Sequence, residues 1–188
     1  MIEKSSTALI VIDLQKGIVS IATQPYSSDA VVAKAAKLVA AFRKNHMPVF
    51  LIRVTRSPDG KDALQPIADT TIPINTPRPA DWAELVPELG HAPDDIIITK
   101  RQWGAFYGTE LEMQLRRRKI ETIVLCGIST NAGVESTARF AYEYGFQQIF
   151  VEDACSARSK EDHDHPMKST FPRLGRVRTT EQILSDLA

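Results

Sequence analysis

The sequence predicts a three-layer α/β fold around a parallel sheet of roughly six strands. Two observations carry this. Six apolar segments recur along the chain: "TALIVIDL", "MPVFLIRV", "DDIIITK", "ETIVLCGI", "QQIFVEDA" and a weaker "GRVRT". Most are continuously apolar and rich in Ile and Val, the pattern of strands covered on both faces. Segments of helical periodicity separate them, and strand–helix alternation of this kind produces right-handed crossovers and parallel pairing. In such a sheet ligands bind beyond the carboxyl ends of the strands, so functional residues are sought just after each strand.

Each element has its own justification. After the first strand, Asp29 to Asn45 places Val32, Ala35, Ala36, Val39 and Phe42 on one helical face. The segment from Thr55 to Pro93 breaks the rhythm with Pro58, Pro66, Pro73, Pro77, Pro79, Pro87 and Pro93. It reads as a long excursion, a lid or interface segment within a single domain spanning 1–188. A second helix is expected over Thr109 to Arg118, its basic end from Arg116 to Lys119 compensating the helix dipole on a solvated face. A third is expected over Asn131 to Tyr144, with Gly145 as its C-cap.

Composition bounds the function classes. A chain of 188 residues, 43% hydrophobic and 24% charged, suits one soluble globular core. Lys plus Arg and Asp plus Glu number 23 each, and this zero net charge gives no electrostatic reason to expect nucleic acid or a membrane surface. A small neutral or anionic molecule is the expected partner. The run Ala8 to Ile12 is too short to span a bilayer and carries no export signature, so a cytoplasmic protein with Cys126 and Cys155 reduced is expected. The histidines His46, His91, His163 and His165 suggest no metal site, and His163-Asp164-His165 reads as a solvated polar loop.

Four strand ends carry candidate chemistry. Asp13 closes the first strand, either as a turn or capping carboxylate or as a functional one. Lys100 closes the third, either as a solvated end charge or as Asp13's partner; paired in a partly dry pocket, the two would handle protons. After the fourth strand, Ser129, Thr130 and Asn131 are N-cap candidates, and with Asn131 as cap Gly133 falls in the first helical turn. A residue without a side chain there lets a carbonyl oxygen or carboxylate approach the helix amides. Arg53 ends the second strand, as a carboxylate receiver or a salt-bridge partner.

With Asp13 and Gln15 in "VIDLQ", Lys100 in "ITKRQWGAFYGTEL" and the segment "LCGISTNAGVESTARFA", the sequence resembles the isochorismatase-like family of hydrolases, which includes nicotinamidases and N-carbamoylsarcosine amidases. The resemblance covers nearly the whole chain in the right order. It implies that Asp13 and Lys100 belong to a catalytic triad whose third member is a cysteine. The family pattern T-[DN]-x-C-V-x-x-T-A meets Thr130-Asn131-Ala132-Gly133-Val134-Glu135-Ser136-Thr137-Ala138, so Gly133 stands where that cysteine belongs.

Without a thiol at 133 no thioester forms there, and Cys126 and Cys155 read better as buried small residues. True isochorismatases resemble this chain in that respect and use the aspartate as general acid on a vinyl ether. The resemblance therefore implies Cys-independent chemistry by Asp13, with Lys100 and the Gly133 position completing the catalytic set. Ser129, Asn131, Gln15, Trp103 and Phe106 are the expected substrate-binding residues, with Tyr107 also able to line the pocket and the three aromatics alternatively packing in the core or a subunit interface.

The resemblance also implies a cis Ile128–Ser129 peptide, an oxyanion hole near Ser129 and Gly133, and a homo-oligomer. No cofactor is expected, and the metal motif of nicotinamidases is replaced by "VTRSPDG". Two readings stand: a hydrolase acting on a small metabolite, and a catalytically silent member that binds a small molecule or serves in an oligomer.

Overall fold

Six parallel strands form one sheet: β1 (Thr7–Ile12), β2 (Val49–Val54), β3 (Ile96–Lys100), β4 (Thr122–Ile128), β5 (Gln147–Ser156) and β6 (Arg176–Arg178). Their order is β3-β2-β1-β4-β5-β6. The computed structural model describes residues 2–70 and 77–188; Pro73 of the expected excursion lies outside them. Helices flank the sheet to give the three-layer α/β architecture. β1 is buried along its whole length, as its unbroken apolar run requires. The chain leaves β1 toward β2 and β3 on one side, and β4 opens the other. The boundary between β1 and β4 is thus the switch point at which an open α/β sheet forms its crevice.

The long helix α1 (Ser28–Lys44) starts where the Ser27 hydroxyl accepts from the Ala30 amide, and it buries Val31, Val32, Ala35, Leu38, Val39 and Phe42. Burying each of its larger apolar side chains contributes roughly 1.5–3 kcal/mol. Ala36, expected on that face, is only half-buried. α2 (Leu111–Arg117) ends on basic residues, but Arg116 is not simply solvated: its guanidinium lies 4.2 Å over the Phe146 ring.

Several short helices were not anticipated, and two of them carry clear N-caps. α4 (Lys160–His165) is capped by the Ser159 hydroxyl accepting from the Asp162 amide, and α5 (Thr180–Leu187) by a Thr179/Gln182 capping box. Hence His163 is not in a solvated loop: it sits on α4 and is 1% exposed, whereas His165 is exposed.

The excursion returns alongside the end of β1. Lys16 and Gly17 amides donate to the Glu84 and Trp82 carbonyls at 2.9 Å each, and the Val86 amide donates to Leu14 at 3.1 Å. On the other side, β4 approaches β1 so closely at Gly127 (φ +126°) that a Cβ there would lie 2.1 Å from the Ile12 carbonyl oxygen. Only glycine fits, and the close approach brings the turn after β4 against the end of β1.

Candidate active site

Asp13 follows β1 in the left-handed region, at φ 54°, a conformation aspartate tolerates better than most residues. Its amide donates to the Ile52 carbonyl at 3.0 Å, tying it to the end of β2. Lys100 comes from β3, two strands or about 10 Å away. Its extended side chain crosses the end of β2, and Nζ donates to Asp13 Oδ2 at 2.7 Å. Nζ also donates to the carbonyls of Gln102 at 3.2 Å and Trp103 at 2.7 Å. Three acceptors meet the three hydrogens of an ammonium, so Lys100 is fully engaged.

The pair is dry, with Lys100 1% and Asp13 5% exposed. Among the described residues Asp13 Oδ1 is buried with no hydrogen-bond partner. Burial raises the Asp13 carboxyl from 3.8 to about 6, against the opposing charge and hydrogen bond of Lys100. Because Oδ2 faces the ammonium, a proton taken up by this carboxyl belongs on Oδ1.

The third element is the turn after β4. The Ile128–Ser129 peptide is cis, and the chain then makes a π-type turn over Thr130–Val134 before α3 (Glu135–Glu143) begins. The expected start of an ordinary α-helix capped by Asn131 is therefore corrected: Ser129 occupies the cap position, and the amides of Ala132 and Val134 both donate to its carbonyl at 3.2 Å. Those two donors are spent inside the turn rather than aimed at a ligand. A Cβ on Gly133 would lie 2.9 Å from Ile12 Cγ2, 3.0 Å from Asp13 Oδ2 and 3.5 Å from Lys100 Nζ. Asp13, Lys100 and Gly133 thus converge, and the space a side chain would take at 133 is already bounded by its neighbours.

The other expected residues have varied surroundings. The Ser129 hydroxyl donates to exposed Asn131 Oδ1 at 2.8 Å, at the rim of the turn. Gln15 is fully buried; its amide nitrogen donates to the Val54 and Trp82 carbonyls at 3.0 and 3.2 Å, and its oxygen accepts from the Val54 amide at 2.8 Å. It clamps β1, β2 and the excursion. Trp103 holds Lys100 through its carbonyl while its indole is 69% exposed. Phe106 is buried with ring centroids 5.4 Å from Tyr144 and 5.9 Å from Phe146. Arg53 Nε donates to Thr99 Oγ1 at 3.0 Å.

Residues that strand-end reasoning missed hold the turn. Thr137 Oγ1 donates to the Gly133 carbonyl at 2.7 Å and accepts from the Ala105 amide at 3.1 Å, linking the turn to the loop that carries Lys100's acceptors. Thr130 Oγ1 lies 2.9 Å from His163 Nδ1. A cavity of about 520 Å³ opens beside the site between 55–60 and 77–83, with Arg78 stacked 3.8 Å over Trp82; Asp13, Lys100 and Gly133 are not in its walls. Both cysteines are buried, and burial pushes the Cys126 thiol up to about 12 and Cys155 upward as well.

Residues 7–182 match the Isochorismatase domain family. The chain belongs to the isochorismatase family. It is 53% identical over 182 residues to the uncharacterised isochorismatase family protein YecD of Escherichia coli O157:H7, covering 97% of this chain and 96% of YecD. It is 51% identical over 187 residues to YwoC of Bacillus subtilis, an uncharacterised isochorismatase family protein, covering 99% and 96%. An isochorismatase family protein from Burkholderia thailandensis superposes with a TM-score of 0.93 at 43% identity, over 97% of this chain and 96% of that one. Among the described residues no helix is long and apolar enough to cross a membrane.

Proposed function

We propose that this family member hydrolyses a small metabolite by Cys-independent acid catalysis at Asp13, with vinyl ether cleavage as the favoured reaction. The observation that carries the reading is the state of the Asp13 carboxyl. It is raised to about 6 by burial, its Oδ2 is fixed by Lys100, and its Oδ1 has no partner among the described residues. An acid poised near neutral pH with one defined proton-bearing oxygen is suited to donate that proton. Gly133 contributes by having no side chain between the pair and the turn.

In the proposed step, the Oδ1 proton goes to the terminal carbon of the enol ether double bond. The resulting cation is stabilised by the ether oxygen, and water adds to the ether carbon. Loss of a proton returns Asp13 to its acid form, and collapse of the hemiketal gives a ketone and an alcohol. One water is consumed and no redox partner is needed. The exposed aromatics Trp103 and Tyr107 support self-association as part of the same proposal, with a dimer or larger species expected in sedimentation.

The test uses purified protein and isochorismate in ¹⁸O-water, with Asp13→Asn in parallel. Isotope appears in the carbonyl product and not in the alcohol, and the substitution abolishes turnover. Isotope in the alcohol, or turnover unchanged by Asp13→Asn, refutes the acid mechanism. Saturable binding without turnover of enol ethers or amides replaces it with the silent binding reading.

A further inference from the structure

The turn that bears Gly133 is supported from beneath by a buried hydrogen-bonded column that strand-end chemistry does not use. Thr130, at the start of the turn, is 0% exposed and its hydroxyl meets Nδ1 of His163 at 2.9 Å. His163 Nε2 faces Glu152 Oε1 at 3.5 Å. The Tyr26 hydroxyl donates to that same Oε1 at 2.8 Å, and its ring meets the imidazole edge-on with centroids 5.9 Å apart. Tyr26 is itself anchored, because its carbonyl accepts from Ser156 Oγ at 2.7 Å. The column therefore runs from β5 and the segment before α1, through α4, into the turn.

The chemistry of these groups fixes the direction of the hydrogens. A carboxylate only accepts, so the ring hydrogen of a neutral His163 belongs on Nε2, toward Glu152. Nδ1 is left as an acceptor, and the Thr130 hydroxyl donates to it. We propose that His163, held by Glu152 and Tyr26, is a positioning residue that orients the Thr130–Val134 turn and thereby seats Gly133 against Asp13 and Lys100.

The proposal deepens the Asp13 reading, on which its catalytic consequence rests. The groups facing His163 are Glu152 from β5, Tyr26 from the segment before α1, Thr130 from the turn, and Asp164 and Lys160 from α4 itself. Burial lowers the His163 pKa, with Glu152 and Asp164 opposing. The neutral form thus dominates near neutral pH. In acid, Nδ1 gains a hydrogen and becomes a donor. Thr130 must then turn its lone pair toward the ring and lose the arrangement described above.

The experiment is an NMR titration of the labelled full chain, following the imidazole of His163 and the amide of Gly133. His163 is the buried one of four histidines, which separates its signals from those of His46, His91 and His165. In the wild type the Gly133 amide shifts with the His163 titration, and Asp13→Asn removes the Asp13 contribution while leaving this one. Thr130→Val abolishes the response at Gly133 while His163 still titrates.

His163→Asn retains an acceptor at the Nδ1 position, so the turn's amide shifts stay near wild type but lose the pH response. His163→Leu displaces them and lowers kcat about tenfold or more without matching loss of substrate binding. A Gly133 amide indifferent to His163 titration and to His163→Leu, in a folded variant, overturns the proposal. If no substrate is turned over yet the Gly133 amide follows His163, the positioning inference stands and the acid-catalysis reading alone fails.

Discussion

Replacing Asp13 with Asn tests both the electrostatics and the mechanism, because the structure sets the sign and size of a stability change. The folded-state pKa is about 6 and the ordinary value 3.8, with burial as the dominant cause. Between these values the folded protein holds the Asp13 proton and the unfolded chain releases it, so rising pH favours unfolding. This is opposite to the usual carboxylate in a surface ion pair. At about 1.4 kcal/mol per pH unit, the interval corresponds to about 3 kcal/mol of stability absent from the wild type above pH 6. An asparagine carries no such proton linkage.

The stability of Asp13→Asn relative to wild type should therefore rise by about 2–3 kcal/mol between pH 4 and pH 8, whatever fixed cost the amide itself introduces. Urea unfolding of both proteins at several pH values measures that difference. In thermal melts the same change is a relative shift of roughly 5–10 °C for a chain of this size. A difference that stays flat with pH, or falls as pH rises, would mean that Lys100 holds the carboxyl at or below its ordinary value. The acid form of Asp13 would then be scarcely populated near neutral pH, and proton donation from it would be ruled out as the source of catalysis.

Lys100→Met leaves a buried carboxylate without its cation and should cost about 3–5 kcal/mol at pH 8, less in acid, as urea unfolding would show. Gly133→Cys places a Cβ within 2.9 Å of Ile12 Cγ2 and should lose about 1–3 kcal/mol. Because Gly133 is buried and bounded by Ile12 and Asp13, mass spectrometry after brief alkylation of native Gly133→Cys protein should find position 133 as unmodified as the buried Cys126 and Cys155, and adducts at 133 would show that the turn opens. Thr137→Val breaks the hydroxyl bridge between the Gly133 carbonyl and the Ala105 amide. It should destabilise by about 1–3 kcal/mol and accelerate hydrogen exchange at the Ala105 amide.

The sheet was legible because a doubly covered strand must be apolar at every position, and β1 "TALIVI" is buried throughout. The site was legible in part for the same reason: a charge that abruptly ends such a run, as Asp13 and Lys100 do, sits at the carboxyl edge. Periodicity could not show that Lys100 crosses β2 to reach Asp13, since that depends on strand order. Nor could it show the roles of Gln15 and Phe106, whose contacts lie in the returning excursion and beyond α3.

His163 escaped because its neighbours Glu161, Asp162 and Asp164 are polar, and its burial comes from a helix too short to display an apolar face. A local signal was present in Ser159-x-x-Asp162, a helix-start pattern. The π-type turn at Thr130–Val134 had no comparable signal. The strong N-cap candidates there favoured an ordinary helix start, whereas Ser129 caps a π-type turn whose Ala132 and Val134 amides both return to its carbonyl.

The glycine and the raised carboxyl suit the same chemistry. A cysteine nucleophile requires a base to take its proton, whereas a carboxyl near 6 with no thiol beside it has nothing of that kind to deprotonate. The place where a side chain at 133 would begin is no vacant slot: Ile12 and Asp13 bound it at 2.9 and 3.0 Å. Burial raises the pKa of Asp13, with Lys100 pulling the other way. The space for a thiol is thus restricted where the carboxyl is protonatable, and the Lys100 bond to Oδ2 leaves Oδ1 for the proton. Acid catalysis then requires only an electron-rich carbon beside that oxygen and a water to follow, and neither demands a group at 133.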